Sequence, residues 1–169
     1  MSGLDRYSDL AAEAVAAVAR REAQYPALVE AGKLSAEQAA QETRVWRAIA
    51  ADWHWVVTLE RRGAEPVTLA EKVAALEESV RRAERAMRKA FAAADSSVRE
   101  AWRQDMTMAE IATRYGEAAI PFFTEWDRYW CFADLLKWYR RDLPGSDLPG
   151  IAHYVERHTA AQRRARMAA

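Results

Sequence analysis

The stretch from Pro121 to Arg141 carries eight aromatic residues: Phe122, Phe123, Trp126, Tyr129, Trp130, Phe132, Trp138 and Tyr139. Laid on a helix, they leave no fully polar face. Each large ring brings roughly 150–250 Å² of surface that gains by leaving water. Such a helix needs cover on more than one side. The stretch therefore predicts the centre of a packed fold.

The remainder of the chain reads as helix throughout, with no strand signal and no internal repeat. Its six glycines and five prolines fall where helices should end. Four capping boxes mark helix starts: Ser35 with Gln38, Thr68 with Glu71, Ser97 with Glu100 and Thr107 with Glu110. A first helix is expected from about Leu4 to Gln24, with a stripe of Leu4, Tyr7, Ala11, Ala14, Val18 and Tyr25. Pro26 should kink or end it, and Gly32 should close the following turn. A second helix runs from Ser35 to about Arg62 on the stripe Ala39, Thr43, Trp46, Ile49, Ala50, Trp53, Val56 and Val57. A third, Leu69 to about Ala94, has the heptad seam Leu69, Val73, Leu76, Val80, Ala83, Met87, Ala90 and Ala94. Its outer face pairs Glu77 with Arg81, Glu78 with Arg82 and Glu84 with Arg88 in the favourable order.

The second and third helices should each be on the order of 40 Å long and form an antiparallel hairpin. Short helices from Val98 to Asp105 and from Met108 to Tyr115 come next. The aromatic helix follows from Pro121, then a loop from Leu143 to Gly150, then a last helix from Ile151 to about Arg166. The expected fold is an all-α helical bundle with a long antiparallel hairpin and an aromatic-rich C-terminal half. It is read as one domain, with parts at 1–95, 96–150 and 151–169.

Basic and acidic side chains balance at 25 each, and neither half of the chain is polarised. General electrostatic attraction to nucleic acid or anionic lipid is not expected. The most apolar stretch, around Ala119 to Leu136, contains Glu125, Asp127, Arg128 and Asp134, which argues against a membrane span. One cysteine, Cys131, allows no internal disulfide and agrees with a reducing, cytoplasmic setting. It reads as a small buried hydrophobe.

Catalytic patterns are lacking: no phosphate-cradling glycine loop, no nucleophile elbow, no paired Ser/His/Asp spacing. His153 and Glu156 share a helical face, but His158 points elsewhere, so no metal site and no cofactor are expected. Trp55 falls off the packing stripe of the second helix, and Phe132, Leu135 and Tyr139 lie opposite the main face of theirs. With Trp126 and Trp130 they are candidate partner-facing residues. Arginine outnumbers lysine 21 to 4, which is compatible with an interface.

The segment Ser97 to Gly116 resembles the first two helices of a helix-turn-helix, with a capped short helix before a turn glycine. That resemblance implies nucleic-acid contact through Arg114 and Arg128, with Arg157, Arg163, Arg164 and Arg166 of the basic tail gripping phosphate. The block Arg20 to Asp52 resembles small helical proteins of bacterial prophages and related mobile elements, and it implies no functional residue. The leading expectation is a non-enzymatic interaction or assembly module that self-associates, as a homodimer for example. A DNA-associated protein and a small-ligand binder with a Trp-lined pocket are the alternatives.

Overall fold

The computed structural model describes residues 3–168, with side chains from Tyr7 onward; Leu4 of the first stripe lies outside the described side chains. Among the described residues there are seven α-helices and no strand. They are α1 (Gly3–Glu30), α2 (Ala36–Thr58), α3 (Leu69–Ala93), α4 (Ser96–Arg103), α5 (Met108–Tyr115), α6 (Ile120–Arg140) and α7 (Ile151–Met167). A 3-10 turn, Gly116–Ala119, precedes α6. The fold is an all-α helical bundle.

Local signals placed most helix ends. The capping boxes at Ser35, Thr68 and Thr107 form in both directions. The one at Ser97 does not: α4 begins at Ser96 behind Asp95, so Ser97 lies inside the helix. Glu100 accepts from Gln104 Nε2 at 3.0 Å instead. Pro26 does not end α1, which continues through it to Glu30. There the amide of Lys33 donates to Leu28 O and that of Gly32 to Val29 O, around Gly32 at φ 67°. This double closure satisfies the last carbonyls and needs a left-handed residue, which glycine adopts without a Cβ clash. Asp105, at φ 56°, closes α4 the same way.

α2 ends at Thr58, four residues before the expected end at Arg62, capped by Leu59 in the left-handed region. Residues 59–68 then form an irregular connection. The long antiparallel hairpin is made by α1 and α2, where Tyr7 meets Trp53 and Glu22 meets Arg47, and not by α2 and α3: the start of α3 lies beside the start of α2, Glu71 against Gln41 and Arg44. Leu10, Ala14 and Ala17 supply the buried stripe of α1, facing Val45, Trp46, Ile49 and Trp53 of α2. Small alanines let the two backbones approach closely. Arg47 pairs with Glu22 at 2.6 Å, and the Arg21 guanidinium lies 4.4 Å from the Trp46 ring centre.

The contacts divide the chain into two compact units. One unit comprises residues 3–76 and 134–168; the other comprises residues 77–133. Both boundaries fall inside helices, α3 and α6. In the second unit Val98, Ala101, Ile111 and Ala119 form a core, joined by Trp102, Met106, Tyr115 and Phe123. Gly116, at φ 53° and ψ −127°, makes the turn out of α5. The outer face of α3 carries Glu78–Arg82 at 2.8 Å and Glu84–Arg88 at 2.6 Å, while Arg81 turns to Glu78 at 3.0 Å.

The start of α3 is held electrostatically. Glu71 accepts from the Thr68 amide at 2.7 Å and from Gln41 Nε2 at 2.8 Å, and it pairs with Arg44. These donors, the Thr68 amide foremost, hold its carboxyl at about 2 against an ordinary 4.5. A depressed folded value means that the stabilisation is complete above pH 4.5 and is lost as pH falls through about 2. Carboxyl resonances followed by NMR should show Glu71 titrating near 2. Thr68→Ala keeps the amide but removes the hydroxyl that donates to the same carboxylate at 2.9 Å, and should move the midpoint part of the way back. A wild-type midpoint near 4.5 would contradict the arrangement.

Candidate functional site

α6 is covered on more than one side, as its rings require, by different neighbours along its length. In the second unit Phe122 meets Phe91 and Trp102, each with ring centres 5.1 Å away, and Trp126 meets Trp102 edge-on at 4.6 Å. In the first unit Trp138 packs edge-on against Tyr7 at 5.8 Å, Trp53 at 6.3 Å and Tyr154 at 5.1 Å. Arg141 closes the other flank, 3.8 Å from the Trp138 ring centre.

The six proposed partner-facing residues separate accordingly. Phe132, Leu135 and Tyr139 retain only 5%, 0% and 3% of their exposure. They are core, because α6 buries the face that the sequence pattern left as its outer one. Trp55 is half-buried, with the Arg61 guanidinium 4.1 Å from its ring centre. Trp126 is half-buried too. Trp130 keeps 43% exposure, the only ring of α6 that does so. Its edges touch Trp126 at 5.7 Å and Tyr129 at 5.2 Å. The result is a run of rings, Phe122–Trp102–Trp126–Trp130, from the interior of the second unit to its surface. The heptad seam of α3 is no open surface either, since all eight of its members are buried or half-buried.

Of the candidate nucleic-acid residues, Arg128 is held by both Glu125 oxygens at 2.8 Å. Arg114 is exposed beside Tyr115, 5.6 Å from its ring centre. Arg157, Arg163, Arg164 and Arg166 are exposed on α7. Around the start of α6, the exposed Glu117 and Asp127 add negative charge. His153 and His158 are exposed, and among the described residues no three His, Cys, Asp or Glu side chains gather as a metal would need. No described helix is long and apolar enough to cross a membrane.

A polar cluster within the first unit has no signature in the sequence. Asp52 Oδ2 accepts from Lys72 Nζ at 2.6 Å and from the Tyr139 hydroxyl at 2.7 Å. Lys72 also lies 5.6 Å from the Tyr139 ring centre. Burial, and then the Asp52 charge, push the Tyr139 phenol well above its ordinary 10. The Trp53 Nε1–H is buried beside that hydroxyl without reaching hydrogen-bond geometry. Asp142 is raised by burial first and by Asp52 second, with Lys72 opposing. Its Oδ1 stands 1.7 Å from where a Cβ on Gly150 would be, so a larger residue at the start of α7 would have to displace the Asp142 side chain. Two fixed charges around a phenol that stays protonated tie α2, α3 and α6 together. Comparison with protein-family models, curated protein sequences and solved structures returned no match.

Proposed function

We propose that this protein is a non-enzymatic helical interaction module of the cytoplasm that self-associates through the Trp130 face of α6. The observation that carries this reading is the exposure of Trp130, 43%, on a helix whose other rings are buried or half-buried. Trp126, one turn earlier, extends the patch. Large rings at an accessible surface are the usual anchors of protein contacts. A second copy is the favoured occupant because the Trp130 side of α6 exposes both signs of charge, Asp127 one turn before the ring and Lys137 two turns after it. An antiparallel two-fold contact brings the acid of one copy toward the base of the other.

Sedimentation velocity over a concentration series tests the proposal. The wild type should grow heavier with concentration. Trp130→Glu should stay monomeric, with unchanged circular dichroism and a urea midpoint shifted by less than about 1 kcal/mol equivalent, as for an exposed site. A wild type that stays monomeric throughout, and binds no protein partner through this face, would overturn it. The DNA-associated alternative draws on the exposed Arg114 and the α7 arginines. It would be favoured by duplex binding that weakens steeply with salt.

A further inference from the structure

The first unit holds a second feature, independent of Trp130. Between the end of α2 and the first turns of α7 lies a pocket of about 100 Å³. Its wall is aromatic: Tyr7, Trp53, Trp138 and Tyr154. Val56 and Val155 are among the aliphatic residues that extend it, and the exposed His158 and Gln162 stand at its mouth.

Three features make this a preformed site. The walls are rigid: Trp53 is fully buried, and Trp138 is wedged by edge contacts on one side and Arg141 on the other. Rings locked in this way do not collapse into the gap. The lining contains no Asp, Glu, Lys or Arg. And Leu59, another lining residue, is held at φ 62°, a conformation that costs a branched side chain energy. Strained residues of this kind cluster at ligand clamps.

Size and chemistry then select the ligand. A dry apolar cavity of about 150 Å³ accommodates benzene, so this smaller pocket, open at its mouth, can enclose no more than one six-membered ring. Aromatic walls offer a guest ring edge-to-face contacts. A quaternary ammonium would gain from the faces but would find no carboxylate in the lining. We propose that this pocket binds a neutral, single-ring aromatic molecule.

Phenol serves as the probe. In ¹H–¹⁵N spectra of the full chain, the indole N–H peaks of Trp53 and Trp138 should move together on one saturating curve, at about 0.1–10 mM for so small a ligand. The Trp102 peak, in the other unit, should stay in place. Tetramethylammonium should move neither pocket peak. Val56→Phe fills the pocket and should weaken phenol binding at least tenfold. If that variant fails to fold, Val57→Phe, at the exposed rim, should weaken it several-fold. No saturable movement in the wild type would overturn the proposal. So would equal movement of Trp102, stronger binding of tetramethylammonium, or wild-type affinity in the folded variant.

Discussion

Trp53→Ala should remove about 3–5 kcal/mol of stability, the range for truncating a fully buried large aromatic residue. The indole has no exposed surface, and it supports Tyr7 and Trp138 from below at 6.3 Å each. Alanine would leave a cavity that those two rings cannot fill, since Arg141 and Tyr154 pin Trp138 from other directions. Against a total of about 5–15 kcal/mol for an ordinary domain, the loss is large. Urea denaturation followed by far-UV circular dichroism should show a lower midpoint with the slope preserved. Trp53→Phe should lose less, because the buried Nε1–H has no acceptor to forfeit. A loss under about 1 kcal/mol for alanine would mean that the α1–α2 hairpin does not close over this ring.

The second large effect is expected at Asp52. Asp52→Ala strips the acceptor from the Tyr139 hydroxyl and the counter-charge from Lys72 in one change. Breaking a fully buried pair costs about 3–5 kcal/mol. The Asp52 side chain keeps 34% of its exposure and Lys72 16%, so about 2–4 kcal/mol is expected after allowance for water. Tyr139→Phe removes only the hydroxyl and should cost about 1 kcal/mol. The two losses should not add, because they share one hydrogen bond. A pH signature separates electrostatics from simple packing. The Asp142 carboxyl, raised partly by Asp52, should titrate lower in the variant. Tyr139 runs the other way in pH. Its folded value is raised, so its stabilisation is complete below pH 10 and is lost as pH climbs through the folded value. Wild-type stability should therefore fall in strong alkali as this phenol is forced to ionise. A strictly additive double variant with an unmoved Asp142 would refute the coupling.

Much of this architecture could be read from local spacing. A capping box is a contact between residues three apart, so Ser35, Thr68 and Thr107 announce their helices whatever surrounds them. Ser97 misleads because the helix starts from Asp95, two residues earlier. The seam of α3 was visible as a repeat, but whether it meets another copy or the same chain is no property of a repeat. The Asp52 cluster left no trace: its partners lie 20 and 87 residues away. No spacing rule reaches so far.

Sequence alone determined that the chain is helical and that the rod from Ile120 to Arg140 must be enclosed on several flanks, because ring area and helical period are local quantities. Tertiary structure decided the rest. It chose α1 as the partner of α2 through the small Ala14 and Ala17, and it drew Phe132, Leu135 and Tyr139 inward. It also left Trp130 as the ring that meets water. A helix without a polar face carries no instruction about which side stays out. That choice belongs to the volumes and charges of whatever packs against it.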